Sequence, residues 1–276
     1  MRIRIVVSVL AIALPAALGE QAVGREVNQA STSDAEAALA ELPPAYLTPS
    51  QLPDSLTLLP PPPAKGSAAF KRDEEARKSV VAYRGTQRWA RASSDAVLDA
   101  SHAGADFSCA MGVTINKQAT PYLYGLLGKM MIDVGLSTYR AKNSYKRVRP
   151  FVAHNGPTCS PGDEPMLRFD GSYPSGHSAL GWSWALILAE INPDRADAIL
   201  QRGRDFGQSR LVCNVHWQSD IDAGRVIAAA TVARLHADAD FRADVDAARE
   251  EVMVLKARHV AKPQGCSDEA ASLAMR

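Results

Sequence analysis

The chain has almost no excess of charge: 31 Lys and Arg stand against 30 Asp and Glu, a formal +1 over 276 residues. That excludes a global field drawing the protein to nucleic acid or to a membrane surface, so attraction for an anion must come from a local cluster. Cysteine is scarce too, with four residues and none in C-x-x-C spacing, which argues against a structural zinc site. The mature chain has no apolar run approaching the roughly 20 residues that span a bilayer. It also has no strand series of period two and no internal repeat.

What is present is an ordinary globular composition, 46% hydrophobic and 22% charged. Arg2 and Arg4 precede an apolar stretch over residues 5–18, and Ala17-Leu18-Gly19 supplies small residues for cleavage. This predicts a signal peptide over residues 1–19 and a periplasmic or secreted protein. No cysteine follows closely, so the pattern is not that of a lipoprotein anchor. Removing two arginines and no acids takes the formal charge from +1 to −1. An even number of cysteines in an exported chain predicts two disulfides, among three connectivities that four cysteines allow.

Residues 20–66 are rich in Ala, Ser, Thr and Pro and end in a run of prolines at 60–63, which predicts an extended segment, loose or draped over the body. Residues 67–260 read as helical throughout, with 261–276 as a tail. Leu123, Leu126, Leu127, Met130, Met131 and Val134 follow helical spacing, with Thr120 at the N-cap and Pro121 at the first position. Residues 179–189 are apolar nearly all round, which predicts a helix at the centre of a bundle. Asn192-Pro193 should end it and start a helix to about Leu211, followed by helices over 216–236 and 240–258. The expected fold is one all-α domain.

Three motifs carry chemistry. In Lys142-Asn-Ser-Tyr-Lys-Arg-Val-Arg149-Pro150, a spacing of seven is nearly two helical turns, so Lys142 and Arg149 are expected on one helix face. Pro150 disfavours helical geometry at Arg149 and so predicts a helix end there. A guanidinium fork and an ammonium point charge together suit a phosphate dianion. Gly171-Ser-Tyr-Pro174-Ser175-Gly176-His177 opens the buried helix, where free amides make an anion site. Gly176 leaves those amides open, Ser175 adds a hydroxyl, and His177 stands beside the bound anion. In Ser209-Arg210-Leu-Val-Cys-Asn-Val-His216-Trp-Gln-Ser-Asp220, His216 and Asp220 are four apart and are expected to meet on one helix face. A carboxylate on one ring nitrogen leaves the other as a directed nucleophile. Each motif alone has a bland alternative: a solvated basic face, a capped turn, a surface ion pair.

Together, K-x6-R-P, P-S-G-H and S-R-x5-H-x3-D occur in order, separated by 23 and 31 residues. Here the sequence resembles the bacterial class A non-specific acid phosphatases of the type 2 phosphatidic acid phosphatase (PAP2) and vanadium haloperoxidase superfamily, from about Tyr46 to about Ala248. The resemblance implies an α-helical bundle, often a homo-oligomer, that needs no metal or other cofactor and acts on small phosphomonoesters. It implies phosphate binding by Lys142, Arg149, Ser175, Gly176 and Arg210, with His216 as nucleophile, Asp220 orienting it and His177 as general acid. Some relatives carry a glutamate about three turns before the lysine. The nearest acid here is Asp133, and no role is carried over to it.

Cys213 lies three residues before His216, and Cys159 lies in the loop leaving Pro150. Both should therefore flank the site and pair, leaving Cys109 and Cys266. An unperturbed histidine pKa near 6.5 would leave His177 protonated at mildly acidic pH, where activity is expected. The competing readings are a vanadate-dependent haloperoxidase, a lipid or pyrophosphate phosphatase, and a non-enzymatic phosphate binder. A nucleic-acid binder fits least, because the basic residues gather at one site.

Overall fold

Small polar residues cap the helices at the positions where chain direction must be set. In the computed structural model, which describes residues 45–98, 104–258 and 261–275, Ser67 caps α1 (Ala68–Ser79) by accepting from Phe70 N–H. Thr86 does the same for α2 (Gln87–Ser94) through Trp89 N–H. The methionine-bearing stripe forms α3 (Pro121–Ser137), with Thr120 at its N-cap and Pro121 first in the helix. The Thr120 hydroxyl is turned away, exchanging hydrogen bonds with the Asn116 backbone. The Glu251 carboxylate accepts the first free amides instead, Tyr122 N–H at 3.2 Å and Leu123 N–H at 3.0 Å.

The short α4 (Tyr139–Tyr145) follows directly. Then come α5 (Gly176–Ile191), α6 (Ala196–Val212), α7 (Gln218–Leu235), α8 (Ala239–Ala257) and α9 (Cys266–Ala274). No strand occurs among the described residues. The apolar α5 is the central rod, packed chiefly on α6 and α7 and then on α3 and α8. Glycine brings α5 and α6 together: a Cβ on Gly203 would lie 2.4 Å from Ala185 Cβ, and one on Gly181 2.4 Å from Phe206. Trp184 fills the centre against Phe107 and Phe206, and its indole N–H donates to Leu127 O at 3.1 Å.

Several expectations are revised. Residues 45–66, expected to be extended, include two helical turns, Pro49–Gln51 and Ser55–Leu58, while lying against the body as one of the two alternatives had it. Asp133 supplies one of the ties, accepting Tyr46 N–H and Leu47 N–H, each at 3.0 Å, from its buried position on α3. The C-terminal residues hold a helix, α9, whose Glu269 pairs with Arg202 at 3.4 Å. Cys109–Cys266 fastens α9, and Cys159–Cys213 fastens the loop after Pro150 to the end of α6, the two pairings expected. No described helix is long and apolar enough to cross a membrane. The expected signal peptide over residues 1–19 lies outside the described residues.

Candidate active site

The three motifs converge where α5 begins, α6 ends and α7 begins, and the backbone joins them. Ser172 N–H donates to Arg147 O at 2.9 Å, linking the second motif to the first. Ser175 N–H donates to Asp220 O at 2.9 Å, linking it to the third. The approach is close: a Cβ on Gly171 would lie 2.6 Å from Lys142 O, and one on Gly224 2.6 Å from Ser175 O. Only glycine lets these segments meet.

Lys142 and Arg149 come together, but not on one helix face. Lys146 takes a left-handed φ of 43° and ends α4 after Tyr145. Arg149 is extended (φ −74°, ψ 151°) and precedes the single turn Pro150–Ala153. The restriction by Pro150 holds, and it places Arg149 at the start of a turn. Both cations are buried and meet at residues 170–171. Lys142 Nζ donates to Gly171 O at 2.6 Å, and Arg149 Nε donates to Asp170 O at 2.9 Å. The Asp170 carboxylate receives both, from Arg149 Nη2 at 2.7 Å and Lys142 Nζ at 3.3 Å. Burial lowers the Lys142 pKa to about 8 against the pull of Asp170, and burial lowers that of Arg149 as well.

His216 lies before α7, not within it. The Asn214 backbone is left-handed, and the amides of Val215 and His216 both return to Arg210 O. Trp217 has no side chain able to cap α7; Asp220, in the first turn, accepts the Trp217 N–H at 2.8 Å instead. The same Asp220 oxygen faces His216 Nδ1 at 3.4 Å. The expected contact therefore forms across the helix entrance. Arg149 Nη1 lies 2.9 Å from His216 Nε2. A guanidinium only donates, so Nε2 carries the lone pair and Nδ1 the hydrogen facing Asp220. Burial, then Arg149, Lys142 and Arg210, hold the His216 pKa well below 6.5.

Arg147, Asp73 and Asp170 were not singled out by sequence reasoning. Arg147 donates to Asp220 Oδ1 at 2.5 Å and to Asp73 Oδ2 at 2.7 Å, and it lies over the Trp217 ring. Asp73, on α1, also accepts the Ser219 N–H and hydroxyl. Burial raises the Asp220 pKa to about 6, with Arg147 the chief opposing influence. Asp73, Arg147 and Asp220 thus form a buried ladder of alternating charge that ends on the neutral His216 ring. Arg147 stood inside the basic run, and Asp170 precedes the glycine that opens the second motif. Asp73 has no signal near any motif.

At the mouth of α5, Ser175 is the N-cap, and its oxygen accepts from Ser178 N–H at 3.2 Å and the Ser178 hydroxyl at 2.9 Å. Its own hydroxyl hydrogen stays available to donate. A Cβ on Gly176 would meet nothing nearer than Thr138 Oγ1 at 3.9 Å, so the space before these amides is open. His177 Nε2 lies 3.0 Å from Ala96 O. A carbonyl only accepts, so Nε2 carries the hydrogen and Nδ1 is the nitrogen that can take or give a proton. Here the expectation of an ordinary histidine fails: burial, then Arg210, with Arg149 and Lys142, pushes its pKa well below 6.5. These influences favour the neutral His177 ring.

Arg210 is the decisive residue. Its Nε and Nη1 are buried and have no hydrogen-bond partner. Burial and the neighbouring Arg149 bring its pKa down to about 10. A buried guanidinium with two unpartnered donors beside another guanidinium is costly, and an anion would relieve that cost. Residues 118–243 match the PAP2 superfamily. The chain is 44% identical over 212 residues to the non-specific acid phosphatase of Providencia stuartii, covering 76% of this chain and 86% of that one. The chain belongs to the PAP2 superfamily. It is likewise 44% identical over 199 residues to the acid phosphatase of Zymomonas mobilis, covering 72% of this chain and 75% of that one. Against the non-specific acid phosphatase of Salmonella typhimurium it is 41% identical over 208 residues, covering 75% and 83%. All six charged or histidine members of the motif set (Lys142, Arg149, His177, Arg210, His216 and Asp220) lie within the span matched to the superfamily.

Proposed function

We propose that this PAP2 protein is an acid phosphatase that hydrolyses small phosphomonoesters through a phosphohistidine at His216. The observation that carries the reading is the pair of unpartnered Arg210 donors beside a histidine whose Nε2 bears a lone pair. A phosphoryl group seated among Lys142, Arg149, Arg210, Ser175 and the amides at Gly176 would have its charge offset as it transfers. His216 Nε2 forms the bond to phosphorus while the bond to the leaving oxygen breaks, and Arg149 Nη1 moves from Nε2 to the transferring oxygens. Asp220, held by Arg147, stabilises the positive ring that results.

The leaving oxygen needs a proton, and the free site favours the neutral His177 ring. The charge of the arriving phosphate opposes the three cations that depress its pKa, so His177 gains its proton at Nδ1 as substrate binds. It gives that proton to the departing alcohol. In the second step it removes a proton from water, which attacks phosphorus, breaks the P–N bond and frees phosphate. An alcohol in place of water would accept the phosphoryl group. Proton uptake on binding favours mildly acidic conditions.

The two disulfides and the N-terminal sequence pattern support a periplasmic or secreted location, and the family resemblance supports a homo-oligomer. An assay with 4-nitrophenyl phosphate in the presence of EDTA or vanadate tests the reading. Activity should persist in EDTA and be blocked by vanadate, which adopts the five-coordinate shape of the transferring group. Loss in EDTA restored by zinc or magnesium would overturn it.

A further inference from the structure

The donors that should meet a phosphate are already partly taken. Asp170 Oδ2 accepts from Arg149 Nη2 and Lys142 Nζ together, and its side chain is 25% exposed where both cations are buried. The Asp170 carboxylate therefore reaches the two cations from the solvent side. Tyr139 also faces this charge, and burial followed by Asp170 raises its pKa to about 12.

The carboxylate does not position these cations alone. Arg149 Nε is held by Asp170 O, Arg149 Nη1 by Val215 O at 3.1 Å, and Lys142 Nζ by Gly171 O. Backbone oxygens thus fix the direction of both side chains. What the carboxylate adds is a negative charge at the donors a phosphate oxygen would use. Its counterpart Arg210 keeps its donors free.

We propose that Asp170 is an internal competitor for the phosphate cradle, a specificity residue that weakens the hold on inorganic phosphate and speeds its departure. As substrate enters, the carboxylate yields Lys142 and Arg149 toward solvent. As product leaves, it takes them back. This rests on the phosphatase reading above, because it assigns Lys142 and Arg149 to the phosphoryl group.

Asp170→Asn keeps the shape and removes the charge, while the backbone carbonyls keep holding the cations. At pH 7 the KM for 4-nitrophenyl phosphate and the Ki for inorganic phosphate should both fall by about tenfold, the change that accompanies a modest loss of repulsion. If Asp170 only holds Arg149 in place, KM and Ki rise and kcat falls. An unchanged Ki equally sinks the inference. Direct titration of Asp170→Asn and Asp170→Ser with phosphate guards against a folding defect in either variant, and both must bind more tightly than the natural protein. Should inorganic phosphate fail to compete in the natural protein, the phosphatase reading falls as well. If it competes normally there but binds no more tightly to the variants, only the role of Asp170 falls.

Discussion

His216 and His177 are both held toward the neutral form by burial and by the same three cations, yet the two rings are tied differently. Asp220 faces the Nδ1 of His216, whereas the carbonyl of Ala96 faces the Nε2 of His177. A carboxylate stabilises a ring that becomes positive, and a carbonyl does so far less. On the proposed roles, His216 is thereby set to carry positive charge for the life of an intermediate, and His177 to carry it only while an anion is near. Binding a permanent dianion should therefore draw in a proton. The sign follows from the shift: burial and the three cations depress the His177 pKa below its ordinary value, and a bound dianion raises it again. Sulfate titrated at pH 6 in buffers of different ionisation heat should show proton uptake, and affinity should strengthen as pH falls. His177→Gln should lose most of that uptake. Uptake unchanged in the variant would move the proton elsewhere.

At the scale of elements, the contact of α5 with α6 depends on residues that leave no room. A Cβ on Gly203 would meet Ala185 Cβ at 2.4 Å and Gly181 O at 3.1 Å, neither of which is the end of a flexible side chain. Gly203→Ala should cost about 1–3 kcal/mol by overpacking. Gly125→Ala on α3 meets nothing within 4 Å and should instead stabilise by up to about 1 kcal/mol through helix propensity. Urea melts of the two variants should move in opposite directions. The long helices were legible because their apolar spacing, Pro121 and Asn192-Pro193 are local signals. The break at Lys146 was not, since nothing in a lysine announces a positive φ. His216 was placed on a helix it only precedes, because Trp217 is an unusual N-cap and gives no start signal. The His216–Asp220 contact was nonetheless legible. Asp73 and the Ala96 carbonyl were not, because they reach the site through tertiary packing alone.

At the scale of the molecule, the proposed site is one where stability would be given up for binding. Arg210 is buried with two donors unpartnered, next to Arg149. Replacing it with methionine keeps the volume and removes an unpaired buried charge, so Arg210→Met should melt at a higher temperature than the natural protein without ligand. Phosphate at one hundred times its Kd should stabilise the natural protein by about 2.7 kcal/mol, and that gain should vanish in Arg210→Met. A thermal-shift series in phosphate reads both effects. A variant that melts lower and still responds to phosphate would give Arg210 an ordinary packing role.

If the phosphoryl group rests on His216 between the two steps, His177→Ala should catch it there. An aryl phosphate expels a stable phenolate and needs little acid help, so this variant should still be phosphorylated. Without a base to activate water, the second step should slow by roughly the 10²–10⁴-fold typical of general catalysis, and the intermediate should accumulate. Rapid quenching with labelled 4-nitrophenyl phosphate should yield a burst of nitrophenol. It should also yield an acid-labile label on the peptide that contains His216, absent in His216→Ala. Turnover with no burst and no labelled protein, or a label that survives His216→Ala, would contradict a phosphohistidine at His216.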